Sequence, residues 1–571
     1  MNTNENVNKT KKTNIDKRKL VSLIISVITI VISLAIIIVL LKIGILPFKY
    51  MVAIILGLLV VNSAFCFILL KNRKKGKVRL VINILQVVIS LIGTVSIVYA
   101  LKTYNALDKM NDDTNTKKQN YSVIVLKDSS YNELKDLKDK VVEYYSNTLD
   151  NSELAIEKLK EQVEVNAVSN EDILAVGNAV LDKEVDAILI EDSQKLLLEE
   201  EIEGFADKTK VIYTFSIDVE VQTIAKDTSV TSDTFVVYIS GIDTYGTISS
   251  VARSDVNMVA VVNPKTYQVL LINIPRDYYV QLHGTSGKRD KLTHAGMYGV
   301  EKSVQTIEDL LDIDINYYVK VNFTSVEKIV DALGGIDVYS EYNFTSYKGN
   351  YKFKKGYNHM NGTQALCFAR ERKSFAAGDR MRGKNQQAVI DGMIKQASKP
   401  SVITKFDSLL KSLSDKFQTN MDTSKMMELV KLQISKMPTW NVSSLGLTGA
   451  DGKASTYSAG SQLLYVMYPS QNSINDAKQK IAAVIAGETL EKSYEPVGGN
   501  VYTPSQAEAT TAKPTVKEEP KKEEVNETTD TKNEENNKSD NKGNNNNGGS
   551  TVDPYTEKNK TNTKSNSNAN N

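Results

Sequence analysis

Three apolar runs near the N-terminus, residues 20–41, 51–70 and 80–101, limit the architecture of this chain more than any other feature. Each continues for about 20 residues without a charge, the length an α-helix needs to cross a bilayer core of roughly 30 Å. A helix buried in a soluble core rarely continues half that far without a polar face. The first run is too long for the core of a signal peptide and lacks a small-residue cleavage site, so it is expected to stay attached. Three membrane-spanning helices are therefore expected.

The basic residues give these spans a direction. Lys9, Lys11, Lys12, Lys17, Arg18 and Lys19 precede the first run, and Lys71, Arg73, Lys74, Lys75, Lys77 and Arg79 separate the second from the third. Between the first and second stand only Lys42 and Lys49. Cationic loops stay in the cytoplasm, which puts the basic arm (residues 1–19) inside and everything after Leu101 outside the cell membrane. A net charge of +2 over 571 residues offers no bulk attraction for a nucleic acid, and no nucleic-acid partner is expected. Cys66 lies within a span and Cys367 far beyond the membrane, so the two are not expected to form a disulfide or a metal site.

The exported part divides by pattern. Residues 111–225 open with a polar linker and then alternate strand-like runs (YSVIVL, VDAILI, KVIYTF) with charged helical stretches, as in a small accessory α/β domain. Residues 232–487 form a longer α/β domain with its core in 235–396. Its apolar runs at 236–239, 258–262 and 269–274 read as strands, the last two joined through the NPKT turn. Val304, Ile307 and Leu311 make one helical stripe, and Val326, Ile329, Val330 and Leu333 another that ends at Gly334-Gly335. Helices alternating with strands, plus a hairpin, imply a mixed β-sheet flanked by helices. Residues 495–571, rich in Asn, Lys, Glu, Thr and Ser, lack the apolar content to offset ordering entropy and are expected to be disordered.

Charges stand at the ends of these strands: Asp243 after the first, Arg253 and Asp255 before the second, Arg276 and Asp277 after the third. Turns are more readily made from Gly, Asn or Ser, so this arrangement points to a site. Further on, KRDKLTHAG supplies Lys291, CFARERK supplies Arg370 and Arg372, and GDRMRGKNQQ supplies Asp379, Arg380, Arg382, Asn385 and Gln386. If CFARERK is extended, Arg370 and Arg372 share a face; if Asp379 caps a helix to about Gln396, Arg382 and Gln386 share another. Guanidiniums grip phosphate through paired hydrogen bonds, and carboxylates suit a hydrated Mg²⁺ that bridges phosphate oxygens. Singly, each Arg reads as a surface ion pair and Asp243 as a turn former; their joint placement fits an anionic-phosphate site. His283, His294 and His359 show no metal-ligand pairing, and His294 reads as a structural hydrogen-bonding group. No P-loop or nucleophile elbow is present.

GIDTYG, RSDVNMVAVVNP, NIPRDYYV, DKLTHAGMYG, INYYVKVNF, VDALGGIDV, GTQALCFARER and GDRMRGKNQQAVI follow one another in the order of the LytR-CpsA-Psr family, which this chain resembles over about residues 235–396. With three spans and an accessory domain it is most similar to the capsule-linked CpsA branch. The resemblance implies an extracytoplasmic phosphotransferase. It would move a cell-wall glycopolymer, such as capsular polysaccharide or teichoic acid, from a polyprenyl-pyrophosphate carrier to peptidoglycan. Asp243 and Asp255 would hold Mg²⁺, with Mn²⁺ a substitute. Arg276, Lys291, Arg370, Arg372, Arg382 and Gln386 would hold the pyrophosphate, with Arg253 nearby. Asp255, Arg276, Arg370 and Arg382 would carry the chemistry, and Asp255 is the candidate base. Many members have Arg where Asn385 stands, so the clamp either lacks one charge or is closed by Arg380. An apolar channel for the lipid is expected between sheet and helices. A second reading is a non-catalytic membrane regulator or polyprenyl-lipid sensor, which the exported position of the charged residues opposes.

Overall fold

The computed structural model describes residues 17–44, 46–71, 76–109, 116–147, 149, 151–220, 224–242, 253–405, 417–491 and 502–506. The apolar runs fold as helices α1 (Lys17–Ile43), α2 (Phe48–Lys71) and α3 (Gly76–Asp108), all long and apolar enough to cross a membrane. Their contacts are polar where the helices meet. Gln86 Nε2 donates to Ser26 Oγ (3.0 Å), Asn83 Nδ2 to Ser22 Oγ (3.0 Å), Ser90 Oγ to Thr29 Oγ1 (3.0 Å) and Asn62 Nδ2 to Ser33 Oγ (3.0 Å). Apolar side chains gain little by leaving lipid for one another, so such hydrogen bonds and close packing choose the helix pairing. Gly93 contributes the close approach, since a Cβ there would meet Ile36 at 2.7 Å.

The first region after α3 comprises β1 (Thr116–Leu126), β2 (Val141–Tyr145), α4 (Ser152–Lys160), β3 (Asn166–Asn170), α5 (Ile173–Leu181), β4 (Ala187–Glu191), α6 (Asp192–Glu201), α7 (Phe205–Lys208) and β5 (Thr209–Glu220). Its five strands lie in the order β3-β2-β4-β1-β5. The three strand-like sequence runs fall on β1, β4 and β5.

The second region continues with β6 (Phe235–Ile242), β7 (Val256–Asn263), β8 (Gln268–Ile274), β9 (Tyr279–Gln281), β10 (Arg289–Lys291), α8 (Leu292–Ala295), α9 (Val300–Leu311), β11 (Tyr317–Asn322) and α10 (Phe323–Leu333). Then come β12 (Ile336–Ser340), β13 (Phe344–Thr345), β14 (Lys352–Phe353), β15 (Gly356–Met360), α11 (Gly362–Arg370), α12 (Asp379–Ala397) and β16 (Phe417–Thr419). It closes with α13 (Thr423–Lys436), β17 (Asn441–Gly446), β18 (Gly449–Thr456), β19 (Gly460–Pro469) and α14 (Gln471–Ala486).

The central sheet has the order β16-β11-β6-β7-β8-β17. Val236, Tyr238, Val259, Val261, Leu270 and Ile272 point to one face and join the stripe of α9 (Val304, Ile307, Leu311) and Ile474, Ala477 and Ile481 of α14. The alternate residues Phe235, Val237, Met258, Ala260, Val269 and Leu271 point to the other face, toward Ile390 and Ile394 of α12 and Met426 and Leu429 of α13. Continuous apolar runs are what a sheet covered on both faces requires. The second stripe becomes α10, which stops at Gly334 in the left-handed region (φ 81°).

Two local expectations are corrected. CFARERK is not extended: α11 carries its first part as far as Arg370, and only from Glu371 (ψ 126°) does the chain leave helical geometry. The capping box of Asn361 with Gln364 nucleates this helix, and Ala365, Leu366 and Phe368 bury one side of it. Within the expected tail, Tyr502–Gln506 is built onto the domain. Tyr502 O accepts from His359 N (2.6 Å), Ser505 O from Lys352 N (3.0 Å) and Pro504 O from Gln364 Nε2 (2.6 Å). The remainder of that tail, residues 495–501 and 507–571, lies outside the described residues.

Candidate functional site

Strand direction gathers the charges. β11 runs parallel to β6, β17 parallel to β8, and β7 antiparallel to both β6 and β8. Four strands therefore end, and β7 begins, at a single edge. Val256 pairs with Gly241 and Asn257 with Ile274, which brings Asp255, Arg276 and Asp277 together just beyond the sheet. The carboxyl edge of parallel strands is where open α/β sheets form their ligand crevices.

Helix α12 delivers the next cation. Gln387 Nε2 donates to the carbonyls of Leu271 (3.0 Å) and Leu445 (2.7 Å), clipping the helix across β8 and β17. Gly383 makes the contact possible, because a Cβ there would stand 2.3 Å from Asn273 Nδ2. The first turn of α12 thus overhangs the edge. The residue at its N-cap is Gly378 rather than the expected Asp379, which is the first helical residue and pairs with Arg382 at 2.5 Å.

Arg276 donates to Asp255 Oδ1 at 2.6 Å, while its Nε lies 3.4 Å from Asp277 Oδ2. Asp277 is shared, its Oδ1 lying 3.8 Å from Lys291 Nζ. Burial works against the Arg276 charge, but Asp255 and Asp277 outweigh it and raise the pKa. Arg382 is less well compensated. Burial lowers its pKa, repulsion by Arg276 and Arg372 adds to that, and Asp379 and Asp255 only partly oppose it. Its side chain is 9% exposed. Arg276 and Arg382, with Arg372 close enough to act on Arg382 through charge, hold unspent attraction for a multivalent anion at this edge.

Lys291 is positioned by a buried network. Asp290 Oδ1 accepts from Lys291 N (2.7 Å) and from His294 Nδ1 (2.7 Å), and Asp290 Oδ2 accepts from Ser458 N (2.8 Å). Both Asp290 and His294 are buried, so His294 is a structural hydrogen-bonding group, as the sequence implied. His283 and His359 each pair with an aspartate elsewhere, Asp309 and Asp337.

The other expected site residues divide. Arg370 ends α11 with its guanidinium 3.7 Å from the ring centre of Phe323. Phe323 opens α10 directly after β11, so Arg370 also reaches the carboxyl edge. Arg372 acts on Arg382 through charge. Gln386 is half-buried one turn along α12 from Arg382. Arg253 pairs with Glu200 of α6. Asp243 lies outside the described residues. Of the two alternatives for Asn385, closure of the clamp by Arg380 is not what this structure shows, and position 385 adds no charge to the edge. Asn385 is buried and donates to Phe368 O (3.1 Å), binding α12 to α11 instead of facing the edge. Arg380 does not close the clamp; it donates to Gly449 O (3.1 Å) and lies 3.6 Å from Asp451, holding the β18–β19 hairpin.

Sequence reasoning did not assign roles to Asp277, which bridges Arg276 and Lys291, or to Glu200 and Glu201. The glutamates had a signal. α6 closes on Glu199-Glu200-Glu201 with no basic residue in its last turn, where the helix dipole disfavours anions.

The fold and this edge define a class: a membrane-anchored mixed α/β protein whose cationic side chains converge where parallel strands end. The chain belongs to the LytR-CpsA-Psr family, whose model (LytR_cpsA_psr family) matches residues 201–481. It is similar to proteins named polyisoprenyl-teichoic acid–peptidoglycan teichoic acid transferase TagU. The one from Bacillus cereus (strain AH820) is 39% identical over 180 residues, 31% of this chain and 58% of the relative. That from Bacillus subtilis (strain 168) is 38% identical over 198 residues, 34% of this chain and 63% of the relative. The chain thus spans about three-fifths of the curated relatives it matches. A crystal structure of B. subtilis TagU is 30% identical with a TM-score of 0.36, over 46% of this chain and 100% of that one.

Proposed function

We propose that this protein is an extracytoplasmic phosphotransferase that moves a wall glycopolymer from a polyprenyl-pyrophosphate carrier to peptidoglycan. The observation that carries this reading is the gathering of Arg276, Arg382 and Lys291 with their carboxylate partners Asp255, Asp277 and Asp379 at one edge. Arg382 is held there against burial and against like charges. Such a group is stabilised by two linked phosphoryl centres better than by any single carboxylate. The names of the TagU relatives support the polymer class; a capsular polysaccharide would present the same pyrophosphate handle.

In the reaction, an acceptor hydroxyl attacks the sugar-side phosphorus. A new phosphorus–oxygen bond forms, the bond to the bridging oxygen breaks, and polyprenyl phosphate departs. Arg276, Arg382 and Arg370 offset charge on the transferring and departing groups, and Lys291 and Arg372 hold the pyrophosphate. Asp255 is the carboxylate nearest Arg276 and takes the hydroxyl proton. The hard oxygen donors of Asp255, 18% exposed beside Arg276, fit Mg²⁺, with Asp243 as the second ligand. When bound, Mg²⁺ would neutralise part of the phosphate charge. The apolar channel expected for the polyprenyl chain is not open between the sheet and α12–α13 among the described residues, where Phe235, Met258 and Leu271 pack that layer.

Lipid capture tests this directly. The full chain in detergent should retain polyprenyl pyrophosphate by mass spectrometry. Arg370→Ala with Arg382→Ala should weaken capture, each charge-assisted contact contributing about 1.5–3 kcal/mol. Absence of lipid from the wild type, or undiminished capture by the double variant, would overturn the clamp.

The basic arm and the basic 71–79 loop support a cytoplasmic N-terminus and exported domains. Protease added to wall-free cells should therefore digest the region after α3. Complete protection of that region would refute both this topology and the enzyme reading.

A further inference from the structure

The last turn of α6 belongs to the accessory domain, yet it ends on two of the cations expected to hold the pyrophosphate. Glu200 pairs with Arg253, and Glu201 Oε1 lies 3.8 Å from Lys291 Nζ. These contacts are not a chance approach of mobile side chains. Leu197 and Leu198 of α6 are fully buried, and Leu198 packs where a Cβ on Gly177 would come within 2.6 Å. The domains share a single apolar cluster in which Leu197, Leu198 and Phe205 meet Met297, Ala459 and Leu464 of the catalytic domain. Asp172 Oδ2 adds hydrogen bonds from Ser461 N and Oγ, both 3.1 Å. Lys117 adds an ion pair with Glu301 at 2.5 Å. The end of α6 is therefore held over the site.

Its composition is locally unfavourable, which calls for a reason outside the helix. Glu199 has Lys195 one turn back at 3.8 Å, but Glu200 and Glu201 follow it at the negative end of the helix dipole. Their partners lie across the domain boundary.

We propose that Glu200 and Glu201 are specificity-determining residues: resident counter-anions on Arg253 and Lys291 that an incoming pyrophosphate must displace. This rests on the pyrophosphate reading above. A lipid-linked donor brings binding energy from its chain to offset the displacement, as remote contacts do when they drive a change at a reacting centre. A soluble phosphate or pyrophosphate brings none. The two carboxylates thereby set a threshold that keeps small phosphates from filling the site.

The probe is inorganic pyrophosphate, titrated calorimetrically into the full chain in detergent with Mg²⁺. Glu200→Gln with Glu201→Gln should tighten binding roughly 5- to 10-fold, as expected for two partly exposed ion pairs. Glu201→Gln alone should give part of that gain, and none in a Lys291→Ala background, where no cation is left to free. Gln keeps the size of Glu, and a matching thermal transition verifies the fold. Unchanged or weaker binding in the double variant overturns the proposal. So does a gain from Glu201→Gln that persists without Lys291, which would be a general charge effect. Should neither the wild type nor any variant bind millimolar pyrophosphate, the pyrophosphate reading fails and this inference falls with it. Wild-type binding with a flat cycle removes this inference alone.

Discussion

Asp255→Asn should leave folding and lipid capture close to wild type while lowering glycan transfer by about 10²–10³, the scale for losing one preorganised electrostatic group. The substitution keeps the shape and removes the charge. In the resting protein Asp255 accepts from Arg276 at 2.6 Å, so the amide oxygen can keep that contact, but the position can no longer take a proton. The loss should therefore fall on kcat rather than on binding. The assay is transfer of a lipid-linked glycan to peptidoglycan fragments, with chelator as a separate arm. Turnover that survives Asp255→Asn would refute this role, and turnover that survives the chelator would refute the metal. A sensor would behave differently, since its output would follow lipid binding and ignore the substitution.

Asp290→Ala should be the most damaging single change to the domain of residues 232–487, costing about 3–5 kcal/mol through stranded buried donors. Three donors converge on that carboxylate: the Lys291 and Ser458 amides and the His294 ring. Burial pushes the Asp290 pKa upward, but His294 and Ser458 outweigh it and leave the group below its ordinary value. A carboxyl lowered on folding contributes its full stability above the unfolded value, about pH 4, and loses it as pH falls through the folded value. The wild type should thus lose stability on acidification below about pH 4, and Asp290→Asn should flatten that dependence. Denaturant unfolding of the full chain across this range measures both. A cost for Asp290→Ala under about 1 kcal/mol would overturn the role.

Much of this architecture was legible because its signals are local. An uncharged apolar run of membrane length admits few folds other than α1 to α3. The strands β6 to β8 announce themselves by apolar runs and one tight turn, and α9 and α10 by their stripes. What escaped depends on distance. The capping box at Asn361 and Gln364 was visible in the sequence, yet the charges after it drew the reading toward an extended segment. Asn385 invited comparison with an arginine because nothing local shows that Phe368 O awaits it. Lys291 owes its place to Ser458, far along the chain, and Arg253 its partner to another domain. Pairings of that kind follow from the folded topology and leave no period or motif.

Helix α13 places Met426 and Met427 against Ile43 at the end of α1 and Leu107 at the end of α3, while Met426 and Leu429 also reach the sheet. One helix therefore rests on the bundle of apolar helices with one side and on the apolar layer beneath the central sheet with the other. On the proposed reading this fixes an altitude. A polyprenyl chain resists extraction by roughly 0.8 kcal/mol for each buried methylene, so the donor stays near the bilayer surface and the protein must work there. A domain seated on its own anchor cannot follow the wall outward. The acceptor strand has to come down to it, which confines attachment to the innermost, newly laid layer and makes the order of assembly a matter of geometry.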